Sequence, residues 1–199
     1  MRQKSNCLKL LFLVFLLLPA ISSAETIIGK VVSVADGDTI TVLTPEHKQI
    51  KIRLAAVDTP EKKQAYGQKA KDFTAARVAG KNVTIKPETT DKYGRTVGFV
   101  FVDGTNRSLN EQIVADGYGW VYRKYCQGTF CADWLQSEKK ARETKIGLWA
   151  ESNPIPPWEW RHTQRGSDVD NQNTSNEQVA VGKGVYHGNT STIIVKTAR

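Results

Sequence analysis

Cysteine is scarce in this chain, three in 199 residues, and so is histidine, also three. A disulfide-stapled mini-scaffold is excluded, and His47, His162 and His187 are too scattered to make a good zinc set. No apolar run reaches the roughly 20 residues of a membrane span; the longest, Leu8 to Leu18, is interrupted by Lys9. There is no internal repeat. Acidic residues are outnumbered, 20 against 28 Lys and Arg, for a net charge of +8. The length is enough for one domain with its own core plus extensions.

The start of the chain reads as a leader. Arg2, Lys4 and Lys9 surround the start of the apolar run, and Pro19 and Ser22-Ser23-Ala24 follow it. This is the pattern of a cleaved signal peptide over residues 1–24. Without those three cations the net charge is +5. A basic exported protein favours polyanions, but charge alone does not choose among nucleic acid, anionic polymers and lipid headgroups. The expected localisation is the periplasm or the extracellular medium, without stable membrane anchoring. Export also favours a disulfide between Cys126 and Cys131 over a metal pair, although spacing alone does not fix the Cα separation.

Hydrophobic periodicity gives five short strands: Ile28 to Val34, with Ile28, Lys30, Val32 and Val34 on one face; Ile40 to Leu43; Ile50 to Leu54; Val83 to Ile85; and Val97 to Val102. Helical spacing appears over Gln64 to Ala79, Leu109 to Asp116 and Ala132 to Thr144, each followed by a glycine stop. The pattern predicts a small closed or nearly closed barrel packed on helices. Asn153 to His162 holds three prolines and two tryptophans and reads as an irregular segment. Residues 25–162 form the expected catalytic domain. Residues 163–199 form a polar extension, expected to be flexible, with a strand-like pulse at Ser191 to Val195.

Two acidic clusters and two arginines carry the chemistry. Asp36-Gly37-Asp38-Thr39 turns between the first two strands, and Asp58-Thr59-Pro60-Glu61 follows the third. Arg53 lies within that third strand and points away from the face of Ile50, Ile52 and Leu54. Arg95 closes the turn Asp91-Lys92-Tyr93-Gly94-Arg95. Each feature has a plain alternative: a β-turn, a helix cap, a solvated arginine. Joined, they make a hard-cation site with guanidinium groups beside it, the inventory that phosphate-ester cleavage needs. An EF-hand is excluded, because the twelfth position from Asp36 is His47 rather than Glu.

These three segments, in this order and approximate spacing, resemble the signatures of the staphylococcal nuclease (thermonuclease) family, and Gly147-Leu148-Trp149 is similar to the family's ending. The resemblance runs from about Ile27 to Trp149. It implies an α+β, mainly β, architecture: a five-stranded OB-fold barrel packed with three α-helices. It further implies an endonuclease that hydrolyses DNA and RNA with little sequence specificity, uses one calcium ion, favours single strands, leaves 3′-phosphate ends and acts as a monomer. Asp38 and Asp58 match the family's calcium carboxylates, and Thr59 a carbonyl ligand. Arg53, Glu61 and Arg95 match its catalytic trio. Lys92 and Tyr93 match residues near the nucleotide, and Tyr125 a stacking tyrosine. The chain departs from the family's type member after Trp120, where Arg123 replaces another tyrosine and the loop is shorter. A catalytically dead nucleic-acid-binding barrel and a calcium-stabilised surface-binding protein are the rival readings. Neither needs two phosphate-matched arginines together with a carboxylate set.

Overall fold

The computed structural model describes residues 25–164. The leader and nearly all of the polar extension, including its strand-like pulse, lie outside the described residues. Seven strands and four α-helices make up the described chain. The strands are β1 (Ile27–Val34), β2 (Thr39–Leu43), β3 (Gln49–Leu54), β4 (Val57–Asp58), β5 (Asn82–Thr90), β6 (Thr96–Val102) and β7 (Trp120–Val121). The helices are α1 (Gly67–Val78), α2 (Leu109–Ala115), α3 (Phe130–Glu143) and α4 (157–164).

Five strands close into a barrel in the order β1-β2-β3-β6-β5. All neighbours are antiparallel except β3 and β6, which run parallel. Closure leaves no open sheet edge. The interior is built on the period of two that a strand imposes: Ile40 and Val42, Ile52 and Leu54, Val83 and Ile85 are all buried. This is the mainly β, OB-type barrel that the motifs imply.

Two elements depart from the sequence expectation. In β1 the inner face takes Val31, leaving Ile28 58% and Val32 47% exposed. The pairing of Val31 with Val42, and a register shift between Val31 and Ser33, decide which set faces inward. The proline-rich segment is not irregular: α4 occupies 157–164. Pro157 sits at its first position, where a missing N–H costs nothing, and Pro156 O accepts from Glu159 N and Trp160 N, both at 3.0 Å. Residues 155–164 fall in a compact unit separate from 25–154.

The pairing of β4 with β7 is too short to be seen in the sequence. Val57 faces Val121 and Asp58 faces Trp120. Behind this ladder stands Glu138 of α3, 2% exposed. Its Oε2 accepts from Val121 N at 2.7 Å, while its Oε1 accepts from Arg142. The sequence suggests only a charged i,i+4 pair here; the structure makes it a buttress for the strand pair that carries Asp58. Glu138→Leu should cost about 1–3 kcal/mol, the penalty for a buried N–H without an acceptor. Glu138→Gln, which keeps an acceptor, should cost less. Urea midpoints of the two variants would test this, and equal losses would count against it.

Cys126 and Cys131 are joined by a disulfide with a Cα separation of 5.8 Å, tying the preceding loop to the first turn of α3. No helix among the described residues is long and apolar enough to cross a membrane.

Candidate active site

The site gathers where the start of β2, the end of β3 and the start of β6 meet. Register does the work: Thr39 pairs with Arg53, and Arg53 with Val97, two residues after Arg95. Leu54 N donates to Asp38 O at 2.8 Å, locking the acid turn to the end of β3. Gly37 lets that turn lie against α1. A Cβ there would stand 2.7 Å from Thr59 Oγ1 and 2.9 Å from Ala70 Cβ, and Thr74 Oγ1 donates to Gly37 O at 2.6 Å.

Arg53 joins the two acidic clusters. Its Nη1 pairs with Asp38 Oδ2 and its Nη2 with Asp58 Oδ1, the latter at 2.9 Å. Both carboxylates are buried, with the Asp38 side chain 8% and the Asp58 side chain 1% exposed. Asp38 Oδ2 also accepts from Thr59 N and Thr59 Oγ1, each at 2.9 Å. So the expected metal ligands Asp38, Asp58 and Thr59 stand in one network with Arg53. Asp36 lies beside it. Burial, reinforced by the neighbouring Asp38 carboxylate, pushes the Asp36 carboxyl up to about 6.

Arg95 reaches the same network from the β5–β6 turn. Its Nε donates to Asp91 Oδ2 at 2.7 Å and its N–H to Asp91 Oδ1 at 3.0 Å. Burial works against ionisation of Asp91, but the hydrogen bonds from Arg95 and Tyr93 outweigh it and hold the carboxyl below its ordinary value. Arg95 Nη1 lies 3.4 Å from Thr39 Oγ1, which donates to Asp38 Oδ1 at 3.2 Å. Thr39 therefore couples the arginine turn to the acid cluster. It stands in the first motif, but only the fold gives it this role.

Glu61 lies in the turn that precedes α1, half-buried, with its N–H donating to Gln64 Oε1 at 3.0 Å. Helix α1 begins at Gly67 rather than at Gln64, because Tyr66 adopts a left-handed conformation at φ 64° and breaks the helical run before it. Of the expected substrate-binding residues, Lys92 and Tyr93 lie on an exposed turn and Tyr125 ends a short 3-10 helix, Arg123–Tyr125. Tyr93 is 72% exposed, with Lys92 Nζ 5.0 Å from its ring centre. Tyr125 is 57% exposed, edge-on to Tyr122 at 4.7 Å between centroids. Tyr122 N donates to Ala56 O, next to the strand of Asp58.

The donor set suits a hard cation. Two buried carboxylates share one positive group, and the donors they offer are oxygens. Among the described residues no cluster of three or more His, Cys, Asp or Glu side chains could hold a metal. A cation here would thus rely on the two aspartates with backbone and water oxygens, and would meet the Arg53 guanidinium already placed between them.

The closed OB-type barrel thus brings two buried aspartates and two arginines together where three strand ends meet. The chain belongs to the staphylococcal nuclease family: the family described as staphylococcal nuclease homologue matches residues 51–151. An uncharacterized endonuclease of Haemophilus influenzae is 40% identical over 155 residues, 78% of this chain and 84% of that protein. An uncharacterized endonuclease of Escherichia coli O157:H7 is 45% identical over 135 residues, 67% of this chain and 84% of that protein. A micrococcal nuclease of Shigella flexneri is 36% identical over 146 residues, 70% and 83% of the two chains. The protein is an endonuclease acting on nucleic acids.

Proposed function

We propose that this protein is an exported, calcium-dependent phosphodiesterase that cleaves DNA and RNA with little sequence specificity and leaves 3′-phosphate ends. The observation that carries the reading is the single network of Arg53, Asp38, Asp58 and Thr59, to which Arg95 is joined through Thr39. Asp38, Asp58 and the Thr59 carbonyl would hold the ion. A calcium ion held there would supply positive charge to the phosphate under attack.

The chain's own groups do the rest. Glu61 orients a water and accepts its proton as the oxygen attacks phosphorus. The P–O5′ bond breaks, the departing O5′ takes a proton from solvent and Glu61 later returns its own to solvent, giving a 5′-hydroxyl and a 3′-phosphate. Arg53 binds a phosphate oxygen in the ground state and in the five-coordinate species, and Arg95 binds the charge that grows there. Grip on phosphates rather than base edges leaves sequence unread. Tyr93 and Tyr125 offer exposed faces for unpaired bases, which favours single strands. The leader-like start supports export.

Purified protein should cut single-stranded DNA and RNA with calcium and stop in chelator. Undiminished cutting in chelator would rule out the calcium mechanism while leaving the nuclease assignment untouched.

A further inference from the structure

We propose that Gln64 is a positioning residue for Glu61, holding the peptide from which the water-handling carboxylate projects. This rests on the role given to Glu61 above. Gln64 is an amide side chain only 8% exposed, in a turn otherwise rich in exposed lysines. Its Oε1 accepts from Glu61 N at 3.0 Å, and its own N–H donates to Glu61 O at 2.8 Å. One residue therefore clasps both polar groups of Glu61's backbone. Gln64 O in turn accepts from Gly67 N at 2.9 Å, tying the clasp to the first residue of α1.

The other side of Glu61 is closed by backbone. A Cβ on Gly67 would lie 2.0 Å from Glu61 O, so the helix start rests directly on this carbonyl. The preceding residues are fixed as well. Thr59 is held twice by Asp38, and the Pro60 ring sets its own φ. The backbone of Glu61 is thereby fixed on both sides. A general base must sit within hydrogen-bond reach of its water, and an error of about 1 Å can cost about 10²-fold in rate. Fixing the Glu61 peptide from both sides meets that demand in a turn that has no regular structure of its own.

The role separates from simple stabilisation by a double-mutant cycle. Gln64→Leu should lower kcat on a short oligonucleotide by about 10–10²-fold, with oligonucleotide and calcium affinities within about twofold of wild type. Gln64→Glu, which keeps an oxygen acceptor, should recover most of the loss. In a Glu61→Gln background, adding Gln64→Leu should change kcat by less than about twofold, because the residue it positions no longer acts. Where Gln64→Leu melts too early to assay, Gln64→Asn, one methylene short of the N–H, serves in its place. Losses that multiply in the double variant, a Gln64→Leu defect carried by affinity, or wild-type kcat in Gln64→Leu would overturn the proposal while Glu61→Gln stays impaired. Wild-type kcat in Glu61→Gln itself would overturn the assigned role of Glu61, and this proposal with it.

Discussion

Arg53→Met should lose about 3–5 kcal/mol of stability in calcium-free buffer, the cost of removing one partner from a buried ion pair, and should recover much of it when calcium is added. The guanidinium is the positive group that Asp38 and Asp58 share. Its side chain is only 14% exposed, and the two carboxylates are 8% and 1% exposed, so water screens the group weakly. Methionine keeps most of the length and none of the charge, leaving two like charges buried side by side. A divalent cation at the same oxygens would supply the missing charge. For the same reason, calcium should bind the variant more tightly than wild type, since it no longer meets a cation already between its ligands. Denaturant unfolding in chelator and in calcium, with a calorimetric calcium titration, measures both effects. A stability loss of the same size in both buffers would mean that the cation does not take up the acids that Arg53 holds.

How much of this was legible beforehand depends on the range of the interaction. The barrel strands rest on period-two patterns such as Ile40/Val42 and Ile52/Leu54, and local pattern is enough for those. The acidic clusters and arginines stand out because charged residues at strand ends and within a strand are costly unless used. What local pattern does not encode is register. The inward set of β1 is chosen by its neighbours β2 and β5, so Val31 is buried and Val32 is not. The same limit hid the ladder of β4 with β7, which is long-range and only two residues wide.

Arg53 is the sharpest case within the site. Alternation places it opposite Ile52 and Leu54, which suggests solvent. It is instead largely buried, its side chain 14% exposed, because the Asp36–Thr39 turn brings Asp38 to that face. Gln64 and Glu138 escaped for a related reason. Each reads as a helix residue of polar type, and each owes its role to one backbone N–H, that of Glu61 or Val121. The prolines mislead in the opposite direction. Pro156 and Pro157 bar a helix from continuing through them but favour one that starts there, and α4 does.

Glu61→Gln and Arg95→Lys should each lower kcat by about 10²–10³-fold while leaving oligonucleotide affinity nearly unchanged. Glutamine keeps the size of Glu61 and its backbone clasp by Gln64, but it cannot take a proton from water. Arg95 is held by its Nε to Asp91 and steadied by Thr39, so the turn fixes the plane of the guanidinium relative to the acid cluster. Lysine at this place would offer a single ammonium with no fixed plane, and could neither keep the Nε contact nor present a fork to phosphate oxygens. Both effects fall on kcat because both groups act on charge or protons that appear only as the bond to phosphorus forms. Arg53→Lys should behave differently and weaken affinity as well, since Arg53 also grips the phosphate before reaction. Salt should still weaken binding in all three variants, because the remaining lysines dominate the counterion term. Measuring kcat and affinity for the three variants on one short oligonucleotide separates the roles. If all three keep wild-type kcat and lose only affinity, these residues are a polyanion-binding surface, and the chemistry assigned to them fails.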